Sequence, residues 1–380
     1  MSVTSKPERL AVLGGAKRVV VKVGSALLSD RDAGLAIGKI ADYCAQICAL
    51  NGAGVEVVLV SSGAVAAGCQ KLGWRTRPNT VHELQAAAAV GQMGLAQAYE
   101  TALSSHATAT AMIMLTHDDL ADRERYLNAR ATLAQLLALN VVPVINENDT
   151  VATEEIRFGD NDTLAALVTN LLAADVLIIL TDVAGLMDAD PRVDSSAKRI
   201  DCVRAQDEGL DLVASAGAGE LGRGGMLTKL RASRLAARSG ANTVIASGHE
   251  PDVLTRILAG EDLGTLLTAD LTPMTARKRW IAGQLRAKGD LILDAGASRA
   301  LREDGVSLLA VGVSAVQGRF QRGEMVRLLD EKGHVVAQGL SNYSSEDVLK
   351  LIGVRSEDFA SKIDYVGEPE LVHRDNLVVT

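Results

Sequence analysis

Residues 145–162, INENDTVATEEIRFGDND, put three Asp, three Glu and three Asn into 18 positions between two apolar stretches. Asp160, Asn161 and Asp162 stand where a helix N-cap belongs, but capping accounts for only one of them. Asn146, Asn148 and Asp149 close the preceding apolar run and point into the same crevice. Carboxylates and amides gathered this way can recognise an ammonium together with a hydroxyl or a carboxyl group.

Cations occur in equally unusual places. Lys22 lies inside the apolar run RVVVKVG, with Gly24 and Ser25 just after it. Removing an ammonium from water is costly, so Lys22 either snorkels from a sheet edge or meets an anion, and the glycine favours a phosphate. The turn Ser61, Ser62, Gly63, Ala64 opens a helix whose free N–H groups can hold an anion. Farther along, LIILTD ends in Thr181 and Asp182, followed by Gly185 and Asp190-Pro191. The segment LGRGGMLTKL carries Gly222, Gly224 and Gly225 ahead of a helix that holds Lys229. It matches neither a Walker A loop nor a dinucleotide fingerprint. It is either a flexible loop or a glycine-rich helix entry suited to a polyphosphate.

These groups sit at the ends of a repeated theme. The apolar runs at 18–24, 55–63, 108–115, 141–148, 175–182 and 241–248 read as strands. Helical stretches are expected at 35–50, 86–104, 122–139, 161–173 and 226–239, the last stopped by Gly240. Such alternation predicts a parallel sheet covered by helices, with chemistry beyond the carboxyl ends of its strands. After about residue 270 the texture changes to short alternating stretches, LILDAG, SLLAVGV, MVRLLD and HVVAQG, separated by turns. These predict a second, small and mostly β domain. The expected division is 1–270, a linker at 271–286, and 287–380.

Composition narrows the class. Of 380 residues, 48% are hydrophobic and 23% charged, which excludes disorder and collagen. Four cysteines, with Cys44 and Cys48 one helical turn apart and none in a CxxC spacing, imply reduced thiols and no disulfide framework. The opening MSVTSKPERLAVLGG lacks a secretion signal and no stretch reaches ~20 clean apolar residues, so a cytoplasmic protein without membrane contact is expected. The net charge of −8 argues against bulk nucleic-acid affinity. Residues 287–380, with 11 Lys and Arg against 15 Asp and Glu, are no more basic than the rest. The six histidines lack ligand spacing, so no protein-held metal site is expected. His373-Arg374-Asp375-Asn376 imitates a protein-kinase catalytic loop but has no companion motifs.

Taken in order, VVVKVGS, VSSGAVAAG, DRERYLNAR, PVINENDTVAT, FGDNDTLAA, LTDVAGLMDADPR and GGMLTK resemble the amino-acid kinase family, and within it the branch that acts on glutamate. RKRWIAG and the terminal VHRDN continue the resemblance into a PUA-like domain. The resemblance implies a three-layer αβα sandwich around a mostly parallel sheet, followed by a small mostly β PUA-like domain. It implies ATP-dependent phosphorylation of the side-chain carboxylate of L-glutamate to L-glutamyl 5-phosphate, the first step of proline biosynthesis. ATP and Mg²⁺ are the implied cofactors. Proline as feedback inhibitor, a homo-oligomer (dimer or tetramer) and a downstream glutamyl-phosphate reductase are the implied partners.

Carried over by position, Lys22, Lys229 and Asp162 are the catalytic group, the lysines at the transferring phosphoryl and Asp162 placing them. Ser62, Asn146, Asp149, Asp160 and Asn161 are the glutamate-binding set. Thr181, Asp182, Arg223, Gly224, Gly225, Met226, Leu227, Thr228 and Lys229, with Lys22, are the nucleotide-binding set. The family usually has a small residue before GGM; Arg223 there either adds a phosphate contact or obstructs one. The family's PUA-like domains raise an RNA-associated role as the rival class, which the acidic tail opposes.

Overall fold

The computed structural model of the chain describes residues 6–30, 34–151, 161–189, 194, 196–211, 225–270, 287–364 and 366–379. The chain divides into two units, Met1–Pro273 and Met274–Thr380. The stretch expected as a linker, 271–286, lies outside the described residues.

In the first unit eight strands form one sheet: β1 (Arg18–Val23), β4 (Glu56–Ser61), β5 (Thr110–Leu115), β6 (Val142–Glu147), β7 (Val176–Thr181), β8 (Cys202–Arg204), β9 (Asn242–Ser247) and β10 (Thr265–Thr268). A two-residue pair, β2 (Ser29–Asp30) with β3 (Gly34–Leu35), stands apart from it. The order across the sheet is β5-β6-β4-β1-β7-β9-β10-β8. Pairing is parallel from β5 to β9, whereas β10 runs antiparallel to β9 and carries β8 alongside it. The six strands expected from apolar runs all form. The short β8 and β10 and the reversed direction at that edge were not expected, because runs of three and four residues carry too little pattern to register.

Twelve helices of the described residues are labelled in chain order: α1 (Lys6–Leu13), α2 (Ser25–Leu28), α3 (Ile37–Gly52), α4 (Ala64–Lys71), α5 (Val81–Ser104), α6 (His117–Ala121), α7 (Arg123–Ala138), α8 (Asn161–Leu172), α9 (Gly225–Arg238), α10 (Val253–Leu258), α11 (Ala295–Glu303) and α12 (Ser345–Leu351). Strand alternation sends Val19, Val21 and Val23 into one core with α3, α5 and α10. Val20, Val58 and Ile145 face the other way, into a core with α7, α8 and α9. The result is three layers, αβα. Both faces of the sheet are dry, which is why its strands read as continuous apolar runs.

Two helix entries matter for the site. Asp122 caps α7, its side chain accepting from Arg125 N at 2.9 Å. The α4–α5 crossing is built on glycine: a Cβ at Gly91 would lie 1.9 Å from Ala64 O, and one at Gly68 would lie 1.7 Å from Ala87 O. This close approach fixes the start of α4, directly after Ser62.

The second unit has a five-stranded sheet, β12-β11-β13-β14-β15, from β11 (Gly289–Leu293), β12 (Val313–Gly318), β13 (Met325–Leu329), β14 (Val335–Leu340) and β15 (Leu377–Val379). Its core gathers Leu291, Val326 and Leu328 with Tyr343 and Phe359, whose rings meet edge to face at 5.7 Å. SLLAVGV was expected as one strand. Instead Ala310–Gly312 is a 3₁₀ turn and the strand begins at Val313; before it Leu308, bridged to Val372, and Ala310 enter the core while Leu309 and Val311 are exposed. His373 caps the turn Arg374–Asn376, its Nδ1 accepting from Asp375 N at 3.1 Å, so the HRDN string is a turn leading into β15.

Candidate active site

Lys22 follows Val20 on the face of β1 that α8 covers, one residue short of the strand's carboxyl end. Asp162, in the first turn of α8, reaches it: Lys22 Nζ to Asp162 Oδ1 is 2.6 Å. Lys229, in the second turn of α9, meets the other oxygen, with Nζ 3.0 Å from Asp162 Oδ2. The Thr228 hydroxyl donates to that same oxygen at 2.8 Å, and Lys229 Nζ also donates to Gly225 O at 3.2 Å. All three charged side chains are buried, at 4% exposure for Lys22, 3% for Asp162 and 9% for Lys229.

Burial alone would raise the Asp162 carboxyl. The two ammonium groups outweigh it and hold the pKa down to about 2. At neutral pH the triad therefore carries two positive charges and one negative. Its net positive charge sits at the strand ends, where an anion can approach. Gly24 leaves the room: a Cβ there would stand 3.8 Å from Lys22 Nζ and 3.4 Å from Leu180 O.

A neutral shell adjoins the triad. The Asn161 amide has two hydrogens for three acceptors, Ser61 O at 3.1 Å, Ser62 Oγ at 3.0 Å and Asn146 Oδ1 at 3.0 Å. Its own Oδ1 is buried without a hydrogen-bond partner among the described residues. Asn146 in turn donates to Gln92 Oε1 at 2.8 Å, and Ser61 Oγ pairs with the Tyr99 hydroxyl at 2.9 Å. Gln92 and Tyr99 were not singled out from sequence. A glutamine inside the alanine-rich α5 was the available signal. Asp149 lies half-buried just beyond β6. Burial first, and then the neighbouring Glu147 carboxylate, push its pKa up to about 6 against the Arg77 guanidinium.

On the other side of Lys22, Gly24 N donates to Leu180 O at 3.1 Å, which brings the end of β7 against the same opening. Thr181 there donates from its hydroxyl to Asp182 Oδ1 at 3.1 Å. Gly225, Met226, Leu227 and Thr228 form the first turn of α9, with Met226 and Leu227 packed on the core. Asp160, Arg223 and Gly224 lie outside the described residues. The structure thus joins Lys22, Asp162, Thr228 and Lys229 directly, and Ser62, Asn146 and Asn161 as a second cluster through Asn161. The two clusters adjoin through the neighbours Asn161 and Asp162.

Comparison with known proteins follows the same lines. Residues 17–247 match the model of the amino acid kinase family, and residues 289–363 match the PUA domain. A glutamate 5-kinase of Chromohalobacter salexigens is 59% identical over 96% of this chain and 96% of its own. One from Nitrosospira multiformis is 56% identical over 97% of this chain and 99% of its own, and one from Pseudomonas aeruginosa PAO1 59% identical over 96% and 98%. A solved UMP kinase of Bacillus anthracis is matched at 18% identity with a TM-score of 0.47, covering 67% of this chain and 97% of that one. Family model, chain-long identity and the two-unit architecture agree: the chain belongs to the amino acid kinase family, among the PUA-bearing glutamate 5-kinases.

Proposed function

We propose that the protein transfers the γ-phosphoryl group of ATP to the side-chain carboxylate of L-glutamate, giving L-glutamyl 5-phosphate and ADP, the first step of proline biosynthesis. The observation that carries this reading is the convergence of Lys22 and Lys229 on Asp162, next to the Asn161 amide cluster. Relatives bearing the glutamate 5-kinase name at 59% identity support the choice of substrate.

A carboxylate with an ordinary pKa near ~4.3 is already ionised at neutral pH, so the acceptor needs no general base. The obstacle is repulsion between two anions, worth about 4 kcal/mol at ~4 Å and an effective dielectric of ~20. The surplus positive charge of the Lys22–Asp162–Lys229 group offsets it. In-line placement of the two substrates supplies much of the remaining acceleration. Asp162 acts by placing ammonium groups; its low pKa keeps it an acceptor throughout.

In this reading Ser62, Asn146, Asp149, Asp160 and Asn161 hold glutamate, with Asp149 on the ammonium. Thr181, Asp182 and residues 223–229 hold ATP. Mg²⁺ would ride on the nucleotide phosphates and supply further positive charge. Both Asp162 oxygens are taken by lysines, and no cluster of three His, Cys, Asp or Glu converges among the described residues, so no protein ligand is assigned to it. Proline as feedback inhibitor, homo-oligomeric assembly, transfer of the product to a glutamyl-phosphate reductase and a cytoplasmic setting complete the proposal. Among the described residues no helix is long and apolar enough to cross a membrane.

The test is ADP release with ATP and, in turn, glutamate, N-acetylglutamate, aspartate, carbamate and UMP. Turnover is expected with glutamate. Preference for any other acceptor, or no turnover at all, refutes the assignment.

A further inference from the structure

Glu147 closes β6 in an unusual state. It is 5% exposed, and neither carboxylate oxygen has a hydrogen-bond partner among the described residues. His117 Nδ1 stands 3.5 Å from Oε2, too far for a strong hydrogen bond. A carboxylate is rarely retained inside a protein without donors or a cation to compensate its lost hydration. Two residues on, Asp149 is pushed up to about 6, by burial first and then by the Glu147 carboxylate. Two carboxylates close enough for one to raise the other, with Glu147 at ion-pair distance from His117 but without a hydrogen bond among the described residues, describe a site suited to a cation.

The position matches one end of an amino acid. Glu147 follows Ile145 on the sheet face where Lys22 follows Val20, and Val60 of β4 lies in register with both Ile145 and Lys22. Two strand spacings sideways and two residues onward put the Lys22 and Glu147 Cα atoms about 12 Å apart. Side chains standing off the sheet in parallel keep their tips about as far apart, and a contact of ~3 Å at each end leaves room for a molecule of roughly 6 Å, the span of glutamate from its nitrogen to its side-chain carboxylate.

We propose that Glu147 is a specificity-determining residue: with Asp149 it forms a carboxylate pair that takes the free α-ammonium of the substrate and rejects amino acids acylated on nitrogen. An amide nitrogen brings no charge to neutralise the pair and leaves both carboxylates uncompensated. This rests on the kinase reading above and adds the group that selects the substrate's other end.

The experiment is steady-state ADP release by the full chain, varying L-glutamate, N-acetylglutamate and ATP in turn, for the wild type, Glu147→Gln and Glu147→Asp. No wild-type turnover with glutamate, or a preference for N-acetylglutamate, refutes the kinase assignment itself before any variant is made, whereas equal turnover with the two overturns the present proposal alone. With that control met, Glu147→Gln raises the KM for glutamate by roughly ten- to a hundredfold, the loss of one charge-assisted contact. The KM for ATP moves less than about twofold, and the preference over N-acetylglutamate narrows in step. Glu147→Asp restores part of the affinity, because charge and not volume is required. An unchanged glutamate KM in Glu147→Gln overturns the proposal. So does an equal rise in both KM values accompanied by a lower Tm, which marks Glu147 as structural.

Discussion

Lys22 and Lys229 occupy the two oxygens of one carboxylate, at 2.6 and 3.0 Å from Asp162. Neither lysine is held by its own segment alone; each takes its position from a third residue on α8. The arrangement leaves one ammonium charge in excess, which is what a meeting of two anions requires.

Removing either ammonium should therefore cancel that excess. Lys22→Ala and Lys229→Ala are each expected to lower kcat by ~10²–10³-fold, the scale for losing one preorganised group that stabilises transition-state charge. Circular dichroism should show the fold retained. Near-normal turnover in either variant excludes that lysine from the reaction.

Asp162→Asn acts on stability as well as on rate. It leaves two buried ammonium groups without a countercharge, a loss of roughly 3–5 kcal/mol for a broken buried pair. In a domain of this size that is a Tm decrease of about 6–20 °C. The pH dependence has a defined sign. The Asp162 pKa falls from an ordinary 3.8 to about 2 on folding, so its contribution is complete above 3.8 and disappears as pH drops through about 2. Thermal melts between pH 2 and 4 should be steeper in pH for the wild type than for Asp162→Asn, and equal slopes would contradict this.

Asp149 has the opposite shift. Raised to about 6 in the folded protein, it is largely neutral below that pH and cannot attract an ammonium. The kcat/KM for glutamate should climb as pH rises through about 6, and Asp149→Asn should flatten the climb. That variant should also raise the KM for glutamate more than that for ATP. The same shift makes Asp149 a cost to folding that grows between pH 3.8 and about 6, the reverse of Asp162.

Two glycines near one turn apart on α5 separate crowding from helix propensity. A Cβ at Gly91 would collide with Ala64 O at 1.9 Å, while one at Gly94 meets nothing within 4 Å. Gly91→Ala should destabilise by about 1–3 kcal/mol through overpacking. Gly94→Ala should stabilise by up to ~1 kcal/mol through helix propensity. Urea titrations that place the two changes on the same side of wild type would refute the packing account.

Much of the architecture was legible because buried parallel strands are continuous apolar runs and their helices are amphipathic. Lys22 was legible because a lysine among valines is conspicuous, and Asp162 because capping could not account for three polar residues in a row. Glu147 was obscured by its neighbours: in a string of acidic and amide residues nothing marks the one whose backbone is still in the strand and whose side chain is enclosed. The antiparallel edge at β10 escaped because direction depends on how the chain returns, and TLLT is equally apolar read either way. In the second unit, SLLAVGV looked like a strand because its buried residues alternate, Leu308 and Ala310 entering the core while Leu309 and Val311 are exposed, although a turn at Ala310–Gly312 interrupts it.

Order along the polypeptide gives the carboxylate of Asp162 a place in biosynthesis. As the ribosome delivers the chain, Lys22 comes first and Asp162 next; until α9 has emerged, they form a neutral couple. Only with the late arrival of Lys229 does the couple become a cationic one. A truncated product ending before that helix would own the opening and most of the sheet, yet hold no surplus charge with which to attract a phosphate. On the proposed role of Lys229, phosphoryl transfer has to wait until nearly all of the N-terminal unit has been made.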